Sequence, residues 1–337
     1  MKKTLVASLA AGVVLFAAAA SAATLDDVKK RGFLQCGANV GLLGFAQPDN
    51  AGNWRGYDVD HCRAIAAAIF NDPNAVKFTP LTAPQRFVAL QNGEIDVLIR
   101  NTTATMSRET TLNLLFAPIN YYDGQGFMVR KSLKVASARE LKGATICVQA
   151  GTTTELNLAD WAKANSITYT PAVFQTSAEA NAAYEASRCD AYTTDSSALY
   201  ATRLTLKAPD DHVVLPEIIS KEPFAAAVRQ GDDKWFNLVK WVENALVIAE
   251  ELGVTSANID QMKSSTSPDV KRLLGLDDNF GQSLGLANDW AYNAVKRVGN
   301  FGEIFDRNLG AGSQLKIDRG VNKLWNRGGI LYPVPIR

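Results

Sequence analysis

An alternation constrains this chain more than any other feature. Between residues 33 and 100, short apolar runs that suit strands take turns with amphipathic segments that suit helices, and after residue 140 the alternation starts again. Residues 33–37 read as a first strand. Residues 58–70 put Val59, Cys62, Ile65 and Ile69 on one helical face before Pro73 ends it. Residues 76–79 are a second strand. Pro84 takes the first position of a helix with Phe87, Val88 and Leu90 on its apolar face, and Gly93 closes it. Residues 95–99 are a third strand. Strand–helix–strand–helix–strand predicts an α/β fold with a mostly parallel sheet flanked by helices.

The second round has strands at 144–148, 168–174 and 189–194, and a short one at 213–215. Its helices open after Gly151, at the capping box Thr176-Ser-Ala-Glu179 and at Asp195, with another capping box at Ser137-Ala-Arg-Glu140. Two extended runs, 124–130 and 222–229, separate the rounds from their surroundings. Two crossings imply two lobes around a cleft. The expected division is 24–124 plus 229–337 for one lobe and 131–222 for the other, with the two crossings as hinge. The most amphipathic helix, 233–252, carries Trp235, Val239, Val242, Leu246 and Ala249 at helical spacing. An extension of about 253–337 follows, with shorter helices expected near 257–264, 268–274, 288–299 and 301–309.

The stretch 93–109, GEIDVLIRNTTATMSRE, is where chemistry concentrates. After its strand comes the polar loop Arg100-Asn101-Thr102-Thr103, and Thr105 or Ser107 can cap a turn of helix that holds Arg108. Open α/β sheets bind small ligands at strand C-terminal ends. A guanidinium fork beside a helix N-terminus suits a carboxylate, because two parallel hydrogen bonds add to the positive end of the dipole. In the second round, Gly151-Thr152-Thr153-Thr154 follows a strand and opens a helix, so its N–H groups can grip an anion. Asp195 occupies the matching place after the strand at 189–194. Each has a plainer role available: a capped turn, an N-cap, and for Arg86 a solvated helix face.

The N-terminus reads separately. Met1-Lys2-Lys3, an alanine-rich apolar run and Ala20-Ser21-Ala22 form a secretory signal peptide, residues 1–22, with the cut after Ala22 or Ala23. The apolar run is short for a bilayer span, which needs roughly 20 residues. The formal charge is 35 − 34 = +1, and loss of Lys2 and Lys3 leaves about −1. A nearly neutral chain lacks the basic footprint of a nucleic-acid binder. Four cysteines are an even number in an exported chain, so disulfides are expected. Of three pairings, Cys36–Cys62 and Cys147–Cys189 keep each bridge within one lobe; free buried thiols are the alternative. No C-x-x-C or other metal spacing occurs, and no cofactor is expected.

Taken together, G-x-x-D-V…N-T-T…R at 93–108, V-x-x-G-T-T-x-E at 148–155, D-A-x-x-x-D at 190–195 and A-V-R-x-G-D at 227–232 resemble the amino-acid-binding class of bacterial solute-binding proteins, family 3. The resemblance covers about two thirds of the mature chain, and the joint order is far more specific than any one piece. It implies the two-lobed periplasmic-binding-protein fold (type II), a periplasmic location, a monomer and delivery to the membrane permease subunits of an ABC importer. Arg108 would clamp the ligand α-carboxylate with the Thr153 N–H, beside Thr152. Asn101 and Thr103 would meet the carboxylate or amino group, and Asp195 would neutralise the α-ammonium. Arg86 matches the position that meets the side chain in glutamate-binding relatives, and Arg100 adds positive charge nearby. Leu42 stands where many relatives carry an aromatic ring, which implies a roomier wall. The implied ligands are L-amino acids in breadth, with glutamate, glutamine, aspartate and asparagine favoured.

Two other functions fit such lobes. The fold has been recruited for dehydratase chemistry, but His61 and His212 lie on a helix and in a loop, and no G-x-S-x-G or H-E-x-x-H motif occurs. A ligand-sensing module for a membrane receptor is the other; on one chain it would need a spanning helix, and none is expected after Ala22.

Overall fold

The computed structural model describes residues 23–337, so the expected leader, 1–22, lies outside the described residues. The two rounds of alternation become two five-stranded sheets. The first has the spatial order Val76–Leu81, Leu34–Asn39, Val97–Leu98, Ala227–Arg229, Leu114–Phe116. The second has the order Thr170–Phe174, Thr145–Gln149, Ala191–Asp195, Gln125–Arg130, His212–Val214. Each sheet runs one way except for a single reversed strand, Ala227–Arg229 in the first and Gln125–Arg130 in the second. Each reversed strand enters its sheet directly after the chain has come over from the other one.

The passage itself is a two-stranded ribbon, Tyr121–Asp123 paired antiparallel with Glu222–Phe224. Of the stretches 124–130 and 222–229, Gln125–Arg130 and Ala227–Arg229 are strands of the two large sheets, and Glu222–Phe224 belongs to the ribbon. Burial on both faces explains why these runs lack polar alternation: Gln125 to Val129 are buried, as are Ala225 to Val228.

The first lobe is centred on Leu34, Cys36, Ile65 and Val97, packed against Trp235, Val242 and Leu246 of the helix Asp233–Glu251. The Trp235 indole N–H donates to the Asp96 carbonyl at 3.0 Å, which pins that helix to the strand leading into the site. The extension packs on the same core through Val270, Trp290, Val295, Phe301 and Phe305. The second lobe has its own core, including Phe127, Ile146, Val148, Leu158 and Ala191.

Cys36 bonds Cys62, and Cys147 bonds Cys189. They close loops of 26 and 42 residues, worth about 3.5–4 kcal/mol each in the chain-entropy account. The Thr176–Glu179 capping box forms in full, whereas the Ser137 segment winds only the 3-10 turn Ala138–Glu140. The helix expected at 257–264 is reduced to Ile259–Met262, and an unexpected short helix, Phe280–Ser283, precedes Trp290–Val298.

Candidate ligand-binding cleft

On the first lobe, Gly93 ends the helix Gln85–Gln91 with φ +76°, and the chain turns into the strand Val97–Leu98. Just beyond it Asn101 adopts φ +34°, a left-handed conformation that asparagine tolerates better than most residues. Three bonds hold it there. Its N–H donates to Asp58 Oδ2 at 2.9 Å, its Oδ1 accepts from Asn39 at 2.9 Å, and its Nδ2 donates to Asp195 Oδ2 of the second lobe at 3.1 Å. Thr105 caps the short helix Met106–Thr110 by accepting the Arg108 N–H at 3.3 Å. Arg108 Nη1 reaches back to the Thr103 carbonyl at 2.6 Å.

On the second lobe, Gly151 has φ +69° and delivers Thr152 to the N-cap of the helix Thr153–Ala164. Thr152 Oγ1 accepts the Glu155 N–H at 3.1 Å and donates to the Gln149 carbonyl at 2.7 Å. Of the first helical turn's N–H groups, which lack intrahelical partners, Glu155's is taken by this cap. Asp195 ends the strand Ala191–Asp195 and makes no side-chain cap to the helix Ser196–Thr205. Its carboxyl faces Asn101 instead.

Arg86, Arg100, Asn101, Thr103, Thr152, Thr153 and Asp195 line one cavity between the sheets, with Gln149, Thr154 and Thr194. Its volume is ≈ 20 Å³, about one water molecule, too small for an amino acid in this arrangement. Arg108 stands behind Thr103 rather than on the cavity wall. Leu42 is not part of it: Leu42 bridges to Ala46 and packs on the first-lobe core.

Three guanidiniums are buried here, with Arg86 3%, Arg100 2% and Arg108 6% exposed. The Phe87 ring sits under two of them, 4.6 Å from Arg86 and 4.9 Å from Arg108. Burial lowers Arg100 and Arg108 to about 10, with Asp58, Asp195 and Glu222 pulling the other way. Arg86 is held well below the usual arginine range by burial and by Arg100 and Arg108, and its Nε has no partner among the described residues. Opposite them, burial and the neighbouring Asp123 and Glu222 push the Asp195 carboxyl well above the carboxylate range. Burial likewise lifts Asp58 to about 7 and Asp123 to about 6. A cluster of strained cations against a strained acid is an arrangement that a zwitterion relieves at both ends.

Two participants escaped the sequence reading. Asp58 opens the helix Tyr57–Phe70, where an acid is expected to complement the dipole, and that ordinary role hid its grip on Asn101. Glu222 is fully buried and accepts from Thr103, Thr153, Asn157 and Ser220. An acid at the head of the apolar run EPFAAAV was its one signal, since buried glutamates need partners.

Two α/β lobes joined by a ribbon, with opposite charges facing across the cleft, define a two-lobed binding protein for small polar solutes. The chain belongs to the bacterial extracellular solute-binding proteins, family 3, which it matches over residues 34–260. It is 62% identical to the general L-amino acid-binding periplasmic protein AapJ of Rhizobium johnstonii over 99% of both chains. It is 53% identical to the glutamate/glutamine/aspartate/asparagine-binding protein BztA of Rhodobacter capsulatus over the full length of both. A solved periplasmic binding protein from Brucella ovis, described with glutathione bound, superposes with a TM-score of 0.92 at 61% identity, covering 94% of this chain and all of that one.

Proposed function

We propose that this chain binds L-amino acids in the periplasm, favouring glutamate, glutamine, aspartate and asparagine, and hands them as a monomer to the permease subunits of an ABC importer. The observation that carries this reading is the distribution of charge. Arg86 and Arg100 line the cavity from the first lobe, Arg108 is buried just behind them on the Thr103 carbonyl, and Asp195 lines it from the second lobe. One cation and one anion suffice for the shared zwitterion, so a further buried cation is left for a second carboxylate. Arg108 and the Thr153 N–H take the α-carboxylate, Asp195 takes the α-ammonium, and Arg86, with Arg100 beside it, reads the side chain. Asn101 supplies a neutral amide, and Thr103 and Thr152, whose hydroxyl hydrogens are directed at Glu222 and the Gln149 carbonyl, supply acceptors for the N–H groups of an amide.

The lobes are read as 24–124 plus 229–337 and 131–222, with the hinge in the crossings 124–130 and 222–229, at whose head lies the ribbon Tyr121–Asp123 and Glu222–Phe224. Binding without turnover is supported by the high-identity relatives, whose names describe binding proteins. The glutathione-bound relative adds one ligand class, because a γ-glutamyl group carries the same α-amino-acid head as glutamate. Thermal melting against the twenty L-amino acids and glutathione tests the reading, since a ligand that binds only the folded state raises the midpoint. Glutamate and glutamine should give the largest shifts. No shift with any of them would refute it.

A further inference from the structure

Glu222 takes no ligand group in the reading above, yet it is 0% exposed and is addressed by four donors. Thr103 Oγ1 donates to its Oε2 at 2.6 Å from the first lobe. Thr153 Oγ1 donates to the same oxygen at 2.7 Å, and Asn157 Nδ2 to Oε1 at 2.7 Å, both from the second lobe's helix Thr153–Ala164. Ser220 Oγ donates to Oε1 at 2.8 Å from the ribbon's approach. The acceptor sits on the ribbon itself, opposite Asp123 in register. One carboxylate on the hinge is thus bonded to both walls of the cleft.

Two consequences follow from hydroxyl chemistry. Charge-assisted bonds of this kind are about twice as strong as neutral ones, and parting the lobes must break the Thr103 set or the Thr153–Asn157 set. Each hydroxyl also has one hydrogen only. With both hydrogens directed at Glu222, the 3.4 Å approach of Thr103 Oγ1 to Thr153 Oγ1 is a contact between two acceptors. Both hydroxyls then face the cavity with lone pairs, which suits an ammonium and not a carboxylate.

We propose that Glu222 is a positioning residue that latches the closed cleft through Thr103 on one lobe and Thr153 and Asn157 on the other, and that turns both threonine hydroxyls into acceptors for the ligand's ammonium. The second half rests on the amino-acid reading above; the latch does not. Glu222→Gln keeps the shape, removes the charge and replaces one acceptor with a donor. Spin labels on the exposed positions Asn92→Cys and Lys142→Cys report the fraction of molecules closed, with and without saturating glutamate. In the Glu222→Gln background that fraction should fall, and glutamate, glutamine and alanine should all weaken by a common factor of about ten or more. Without ligand, Thr103→Val should lower the closed fraction little beyond Glu222→Gln, because in the latch it acts through the same carboxylate. Unchanged closure and affinity would overturn the proposal, and so would selective loss of glutamate alone. If Glu222→Gln fails to fold, Asn157→Ala removes one second-lobe donor and must still lower the closed fraction. If the wild-type chain binds no amino acid, the functional reading fails while the label distances still test the latch.

Discussion

Replacing Arg86 separates affinity from stability, because its two effects differ in size. Arg86→Met keeps an unbranched side chain of similar reach and removes the guanidinium. In the wild-type protein the buried Nε lacks a partner, and Arg100 and Arg108 add like charge. An unsatisfied buried donor costs about 1–3 kcal/mol. The position over Phe87, 4.6 Å from ring centre to guanidinium carbon, returns about 0.5–2 kcal/mol. The two ranges net to between about 1 kcal/mol of loss and about 2.5 kcal/mol of gain, and relief of the like charge of Arg100 and Arg108 favours the gain, so the unliganded variant should lose no more than about 1 kcal/mol, a few degrees in Tm. Affinity falls by more. A hydrogen bond to a charged group contributes about 1.5–3 kcal/mol, so glutamate should bind about ten- to 150-fold more weakly. Alanine, with no side-chain acceptor, should change by less than about three-fold. Calorimetry on both ligands with a melting curve of the free protein gives the three numbers. Equal loss for both ligands, or a drop in Tm beyond that, would show that Arg86 supports the fold or the shared head group rather than the side chain.

Arg108→Ala and Asp195→Ala each truncate one half of the charge anchor, which costs about 2–5 kcal/mol; titration should show losses of roughly thirty- to several-thousand-fold for every L-amino acid, and near wild-type binding in either would refute that pairing. Unliganded stability should fall from pH 5 to pH 8. Asp58 is raised to about 7 and Asp123 to about 6, so their contribution is complete below the unfolded carboxylate value and is lost as pH climbs through those folded values. Asp58 alone accounts for up to about 3 kcal/mol over that window. Carboxyls held low, such as Asp232, act only below about pH 4. A flat or rising profile between pH 5 and 8, or one that Asp58→Asn leaves unchanged, contradicts the assignment. Phe305→Ala should destabilise by about 3–5 kcal/mol in denaturant melts, because the ring is fully buried in the first-lobe core; a loss under about 1 kcal/mol would mean that the extension packs independently.

What the sequence disclosed, and what it withheld, follows from the range of the forces involved. Period and turn chemistry are local, so the strands, the Gly93 stop, the Thr105 cap and the Gly151 turn were legible. Burial of polar groups is not local. Arg86 reads as a solvated helix residue until Arg100, Arg108 and Phe87 close around it. The charged neighbour that a surface arginine would use, Asp96, is taken by Arg31 and the Gln35 N–H. Glu222 reads as an acid at a strand end because its four donors come from segments 2 to 119 residues away in sequence. The place of Leu42 rests on resemblance to an aromatic position in related chains, and its loop bridges to Ala46 with the side chain partly buried against the first-lobe core. Analogy of position does not fix the direction of a loop side chain.

The extension beyond residue 260 lies outside the family match, and its contacts indicate what it does to the cleft. Phe301 and Phe305 pack edge-on against Tyr57 at 6.1 and 6.3 Å, and Phe305 stacks on Tyr121 of the ribbon at 6.2 Å. Tyr57 begins the helix whose next residue, Asp58, holds Asn101. Arg307 and Asn308 bind Asp60 on the same turn at 2.8 and 2.6 Å. Asn322 donates to the Tyr122 carbonyl at 3.0 Å and accepts its N–H at 2.7 Å, as a neighbouring strand would, and Arg319 fixes Asn322 from behind through its carbonyl while pairing with Glu250. The extension therefore clamps the first-lobe end of the ribbon together with the helix turn that orients Asn101. Under the proposed hinge motion, little freedom remains at Tyr121 and Tyr122, and the bend falls on the residues that follow. Asp123 ends the ribbon strand, and Gly124 is the first residue beyond it. A Cβ there would meet Ile218 at 2.2 Å and the Ser220 carbonyl at 2.8 Å, so the backbone at the second-lobe end passes where a side chain has no room. Under that same proposed motion, an arm that stiffens one end of a ribbon would confine the bending to the other and keep Asn101 in register with Asp195, to which it donates at 3.1 Å.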